Sequence, residues 1–440
     1  MPQKHDTDSI QSIPPLDNPR EPISEKPTVH PDDATTNPGI NDPAPDGGRE
    51  AWSVALGSFS IFFCCLGFSN SFGPLADYYL THQLAGHSTD EIAWIGSLAV
   101  FLQFFAAVVG GPLFDQYGAK VIRPAAILYV VSMMLLSLCK TYWQFMLCQA
   151  VFQGPLMGLL QFPSIAAVSH YFDKNRAAAL GVAISGSSVG GIVIPIAISK
   201  MLNDTDLGFG WTIRVIGFLV IPFLIFAIFT VKPRLPPRKR PFWIGAAFKD
   251  TRLIILTVSM FFIFLGMFLP IFFLPTFANM HGMDPTLAGY LSAILNASST
   301  FGRIIPGVLA DRLGRLNVCA FGALATGISI FFMDKAESNA GLIVYSIVFG
   351  FLSGTIISGA SAAFTVCCPD VRDVGTYMGI GMAVGAVGLL IGPPLDGVLV
   401  DKYGGSFFQA AMFSGTVCVF GSFVVFANKH WTPQGLWGRV

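Results

Sequence analysis

The sequence predicts an all-α integral membrane protein: twelve transmembrane helices in two six-helix halves, with both termini on the cytoplasmic side. Three observations predict it. Of 440 residues, 53% are hydrophobic and only 12% are charged, about half the charged share of a soluble globular chain. Beyond residue 50 the chain is a series of apolar runs, several longer than the roughly 18–20 residues that a spanning helix needs. One short charged hinge occurs twice, as "GGPLFDQYGAKV" from Gly110 and "PGVLADRLGRLN" from Pro306. Its aspartates, Asp115 and Asp311, stand 196 positions apart (311 minus 115), close to half the apolar part of the chain.

Residues 1–50 are polar and rich in Pro and Asp. Too few apolar side chains are present to offset the entropy of ordering, so a disordered cytoplasmic tail is expected there. It lacks the apolar core of a signal peptide, and it suits either regulatory modification or an inert solvated extension. The first six spans are expected near 53–72, 93–114, 121–140, 143–168, 177–201 and 212–231, forming an N-terminal half over 51–231. The most basic stretch of the chain follows as a cytoplasmic linker over 232–252. The second six are expected near 253–277, 288–310, 317–333, 341–366, 376–400 and 407–428, a C-terminal half over 253–428, with a short cytoplasmic tail at 429–440.

Loop charges orient the chain, because cytoplasmic loops carry the excess of Lys and Arg. With the N-terminal tail inside, Lys120, Arg123, Lys174, Arg176, the central basic stretch, Arg312, Arg315 and Arg372 fall on the cytoplasmic side. Lys140, Lys200, Arg214, Lys335 and Lys402 fall on the other. Paired Gly/Pro interruptions, "GGIVIPIAI" in the fifth span and "GLLIGPPLDG" in the eleventh, are what a transporter with two halves rocking about a central site would carry.

Several function classes are excluded on composition. Formal net charge is zero, so nothing points to nucleic acid. The eight cysteines form no CxxC pair and mostly lie inside apolar runs as small hydrophobes. No P-loop is present, so nothing suggests ATP as the driving force. An intramembrane enzyme would need clustered His, Asp or Glu within spans, and the seven histidines lie in the tail, loops or span ends. No cofactor and no metal are expected; the partners expected are the bilayer, a small organic substrate and protons.

A charge inside a span is costly and so is a functional candidate by default. Arg303 is the clearest. It precedes Asp311 by eight residues, about 12 Å of helix, which sets it near the midplane. Its planar fork suits a carboxylate; the alternative is that it pairs with a carbonyl or carboxylate and holds the bundle together. Asn70, Gln103, Gln149, Gln153, Gln161 and Asn296 are polar residues within spans, able to line a cavity or to bond between helices. Asp396 is the candidate proton site. "NDT" at Asn203 fits a glycosylation sequon in a short outer loop.

These residues carry a resemblance. Gly111, Asp115 and Gly118, and more completely Gly307, Asp311, Arg312, Gly314 and Arg315, resemble the G-x-x-x-D-R-x-G-R loop of the major facilitator superfamily, with Gln116 where the first copy usually has a base. "PDGGREAW" from Pro45, with Asp46, Gly47 and Gly48, resembles the D-G-G motif of the monocarboxylate transporter (monocarboxylate porter) family in its fungal branch. "YFDKNRAAALGVAISGSSVGG", with Tyr171, Phe172, Lys174 and Arg176, resembles that family's motif leading into the fifth span. Together the matches cover about residues 45–430.

The resemblance implies the major facilitator fold and secondary active transport of a small organic molecule by alternating access. It implies that Asp115 and Asp311, with Gly118, Arg312, Gly314 and Arg315 around them, form a gating latch: the loop carboxylate sits at the positive N-terminal end of a helix from the opposite half. Tight cytoplasmic turns explain Gly118 and Gly314 equally well. It implies that Arg303 binds a substrate carboxylate; Ser299 one turn before it, and the polar span residues Asn296, Gln149, Gln153 and Asn70, are further substrate-facing candidates on their position alone. The proton-coupled members carry an acid where this chain has Ser299, and a lysine near Gly73 or Pro74. Lactate–proton symport in the usual form is therefore not expected, and a larger or less acidic cargo is. Uptake of an organic acid, efflux of a fungal secondary metabolite, and a transporter-like nutrient sensor all remain open at this point. The plasma membrane is the location the resemblance implies.

Overall fold

The computed structural model describes residues 43–236, 244, 245, 247–432, 435 and 438. The expected tail up to residue 42, and part of the basic linker, lie outside these residues. The described residues belong to one compact unit, Gly39–Val440, and contain helices and no strand.

Successive helical runs are α1 (Gly48–Thr81), α2 (Glu91–Lys120), α3 (Ile122–Leu136), α4 (Tyr142–Tyr171), α5 (Arg176–Asn203) and α6 (Gly208–Thr230). They continue as α7 (Thr251–Met280), α8 (Pro285–Leu313), α9 (Arg315–Phe331), α10 (Asn339–Cys367), α11 (Val371–Lys402) and α12 (Phe408–Trp431). Among the described residues nine of these are long and apolar enough to cross a membrane, and α3 and α9 are shorter apolar helices. α8 is as long as α10, at 29 residues, but Asn296, Ser298, Ser299, Thr300 and Arg303 interrupt its apolar surface. An apolar run in water would hide these faces. Here Phe229, Phe301, Phe321 and Trp143 are among many large apolar side chains left exposed, the pattern of a lipid-facing surface.

The packing repeats. α1 packs on α5 as α7 packs on α11, and α5 crosses α8 as α11 crosses α2. The last two crossings join the halves. Each is made close by the hinge glycine one turn before the aspartate. A Cβ on Gly111 would lie 1.9 Å from the Gly375 carbonyl of α11, and one on Gly307 would lie 2.8 Å from the Ala177 carbonyl of α5. No side chain fits the first approach, and the second is tighter than a Cβ tolerates.

The observed helices run longer than several of the expected spans, and two departures matter. α1 starts at Gly48 and so takes in residues assigned to the tail; Glu50 in its first turn favours the helix dipole. α1 also breaks at Asn70–Ser71 and α7 at Phe268. Pro74 and Pro270, 196 positions apart like the two aspartates (270 minus 74), each remove an N–H donor just beyond the break, which is why both first spans are interrupted at matching depth.

Candidate functional site: an inter-half latch and a polar midplane

Both hinge aspartates reach across to the other half. The Asp311 carboxylate at the end of α8 accepts from the Ala177 N–H at 3.0 Å and the Ala178 N–H at 2.9 Å. These are orphan donors of the first turn of α5, where a helix N-terminus favours negative charge. The Asp115 carboxylate accepts from the Thr376 N–H and from its hydroxyl, both at 2.7 Å, where α11 passes from its opening 3-10 turn into α-helix at Val374. Arg315 donates to Asp311 at 3.3 Å. Asp115 is 4% exposed, so these bonds form with little competition from water. Gly118 (φ +59°) and Gly314 (φ +102°) are both in the left-handed region, so the turn itself accounts for these two glycines. Arg312 lies exposed beside the latch.

Arg303 is buried and does not meet a carboxylate among the described residues. Its guanidinium donates to the Ile184 carbonyl at 2.9 Å and to the Ser187 hydroxyl, both on α5. Its Nε has no hydrogen-bond partner among the described residues. The bundle-holding contact is therefore present, yet the cation's charge is met by neutral acceptors only.

The other candidates separate. Asn70 and Asn296 come together: a Cβ on Gly191 of α5 would lie 2.6 Å from Asn70 Nδ2 and 3.1 Å from Asn296 Oδ1. Three helices from both halves thus meet at two amides beside the α1 break. Ser299 departs from the expectation of a cargo-facing residue. It is buried against α10, its hydroxyl 2.9 Å from where a Gly354 Cβ would be, because it falls on the α8 face that packs within its own half. Gln149 is occupied, accepting from the Tyr79 hydroxyl at 3.0 Å. Gln153 is fully buried and neither end of its amide has a hydrogen-bond partner among the described residues. Both lie in a π-helical stretch, Met146–Gln153, a rare geometry that is frequent at functional sites. Ser69, Gln103 and Gln161 form a buried chain at 2.7 and 3.1 Å. Asp396 is buried inside the C-terminal half, where one oxygen accepts from Ser414 at 2.6 Å and the other has no partner among the described residues.

Aromatic rings line the seam between the halves. Phe104 on α2 lies 6.0 Å from Phe162 and 6.2 Å from Phe264 on α7, and Phe264, Phe268 and Phe272 follow at 5.8 and 6.0 Å. Phe264 is buried, Phe268 half-buried and Phe272 exposed, so exposure rises along α7 away from the latches. Sequence reasoning missed this ladder; the i, i+4, i+8 spacing of the three α7 rings was the available signal.

The duplicated hinge, the inter-half crossings and the helical architecture agree with a comparison to known families. The Major Facilitator Superfamily model matches residues 57–369 and 256–435. The chain belongs to the Major Facilitator Superfamily. This superfamily member is 44% identical over 410 residues to the aspyridones efflux protein of Emericella nidulans, covering 93% of this chain and 83% of that one. It is 35% identical over 406 residues to the agnestins efflux protein of Paecilomyces divaricatus, covering 91% and 92%. The human organic anion transporter MFSD10 superposes with a TM-score of 0.68 at 16% identity, covering 86% of this chain and 100% of that one, which shows the shared fold. Family and fold are those of transporters.

Proposed function

We propose that this major facilitator transporter exports a small organic metabolite by alternating access. The observation that carries the reading is the pair of latches on one face, each a carboxylate of one half seated on a helix N-terminus of the other. Such contacts hold one entrance closed and are few enough to break. The relatives named as efflux proteins of particular fungal products favour export over import. In this reading the chain has twelve spans, the latches and both termini face the cytoplasm, and the membrane is the plasma membrane. The Lys/Arg bias of the loops supports that orientation. Arg303, Asn70 and Asn296 face the cargo. Because Arg303's charge is met only by neutral groups among the described residues, an acidic group on the cargo would be favoured there, in keeping with the monocarboxylate-family resemblance. Asp396 is the proton-carrying group, and energy comes from an ion gradient or from the cargo's own gradient.

Inside-out plasma-membrane vesicles from cells expressing the protein test this. Supplied with an organic extract of the host culture and an imposed proton gradient, they should accumulate at least one extract compound without ATP. Vesicles from cells expressing an Asp115→Asn, Asp311→Asn double variant should not. Equal accumulation in both would refute the alternating-access reading.

A further inference from the structure

The N-terminal motif and the motif that opens α5 are separated by more than a hundred residues, and nothing in the transport cycle above uses the first. The structure joins them. The segment leading into α1 lies along the α4–α5 loop. Asp46, held at φ +52°, receives two backbone N–H groups of that loop on one carboxylate oxygen: Asp173 at 2.7 Å and Asn175 at 3.2 Å. Its own N–H donates to the Tyr171 carbonyl at 3.1 Å, and the Asn175 amide returns a bond to its carbonyl at 3.3 Å. Further contacts fix the same strap. The Tyr171 hydroxyl donates to Glu50 at 3.3 Å, Trp52 meets Phe172 edge-on at 5.2 Å, and Arg234 after α6 donates to the Pro43 carbonyl at 2.8 Å.

The other side of the loop is the latch. Ala177 and Ala178, which bind Asp311, begin at the end of this loop. The decisive residue is Asp173. Its N–H is held by Asp46 from its own half, and its carbonyl accepts from Arg315 of the opposite half. A single residue thus hangs between the strap and the latch.

We propose that Asp46 is a positioning residue for the latch: by fixing the α4–α5 loop it presents the Ala177 and Ala178 amides to Asp311 and the Asp173 carbonyl to Arg315, and so sets how readily the closed face opens. The D-G-G segment and the fifth-span motif are then two faces of one clamp. Two amides converge on one carboxylate oxygen, and bonds to a charged acceptor are roughly twice as strong as those an asparagine oxygen would accept in its place; Gly48 follows at φ +85°, a conformation that lets the chain turn at once into α1. The inference rests on the latch reading, and its test is read at a different place from the strap.

Cys368 supplies the readout. It lies on the far latch, half-buried, its thiol donating to the Asp370 carbonyl. Burial, with Asp373 and Asp115 nearby, holds that thiol well above its usual range, so it reacts slowly while the face is closed. Opening exposes it and moves Asp115 away. The full-length protein in nanodiscs is treated with N-ethylmaleimide, and labelling of the Cys368 peptide is followed by mass spectrometry, with Cys368→Ser as the site control. Asp46→Asn should speed labelling about tenfold, as should Arg315→Ala. The double variant should fall short of the product of the two single effects, because both act in part through Asp173, although Arg315 also pairs with Asp311. A size-exclusion profile like that of the wild type establishes that the variant is folded, and Asp46→Glu should restore slow labelling at least in part.

Unchanged labelling in a folded Asp46→Asn protein would overturn the proposal, because a purely local role would not reach the other latch. Fully multiplicative effects of the two substitutions would overturn it as well. If Asp311→Asn also leaves labelling unchanged, the latch reading fails first, which separates the two failures.

Discussion

Replacing Asp311 by Asn is the sharpest perturbation of the latch. The side chain is nearly isosteric, so packing is kept while the charge is lost. In the wild type each carboxylate oxygen accepts one amide of α5, at 3.0 and 2.9 Å, and the side chain is 7% exposed. Hydrogen bonds to a charged group contribute about 1.5–3 kcal/mol each, against about 1 kcal/mol for a neutral one. Asparagine keeps one acceptor oxygen and turns its NH2 toward the second amide, donor against donor. One charged bond becomes neutral and the other is lost, so the latched state should weaken by about 2–5 kcal/mol. At about 1.4 kcal/mol per factor of ten, that is a shift of roughly thirty- to several-thousand-fold toward the open face. Spin labels on Tyr117 and Leu313, exposed residues just beyond the two aspartates, would report it by pulsed electron resonance. The expected result is a new population at longer distance. A distance distribution identical to that of the wild type would refute the reasoning.

Thr376→Ala removes the hydroxyl bond to Asp115 but leaves the amide, so the same measurement should show a smaller shift, about ten- to a hundredfold for one charged bond of about 1.5–3 kcal/mol. Gly111→Ala puts a Cβ 1.9 Å from the Gly375 carbonyl. Backbone cannot yield as a side chain can, so either the face is forced open in the spin-label measurement or thermal stability falls by several degrees, about 2 kcal/mol or more. Arg303→Met keeps bulk and removes the charge. Efflux of an anionic cargo should fall at least tenfold while the melting temperature changes little, since a well-packed apolar replacement of a buried charge is often neutral; a large drop in melting temperature with flux intact would leave Arg303 only its hold on Ile184. Asp396→Asn should abolish the dependence of transport on an imposed proton gradient in proteoliposomes while cargo exchange persists.

Much of this was legible in the chain. Apolar runs of spanning length and the hinge repeated at Asp115 and Asp311 follow from local composition, so the bundle and its two halves could be read directly. Pro74 and Pro270 were visible too, but their equal spacing gains meaning only once both first spans are seen to break. What the sequence hid is set by tertiary contact. Whether Arg303 meets a carboxylate or the Ile184 carbonyl depends on which helix crosses α8. Ser299 and Arg303 are one turn apart, yet Ser299 faces α10 and Arg303 faces α5. The partnership of Asp46 with Asp173 joins residues far apart in sequence, and a single chain carries no periodicity that would announce it. The π-helical stretch at Met146–Gln153 alters the register of Gln149 and Gln153, so a 3.6-residue period misplaces them.

Export is the central claim, and metabolite profiling tests it most directly. The gene is deleted or overexpressed, and cells and medium are analysed separately. The account predicts a compound that builds up inside the cells on deletion and in the medium on overexpression, an effect lost when the overexpressed protein carries Asp311→Asn. A compound that instead stays in the medium on deletion and enters the cells on overexpression would contradict it and make this an importer.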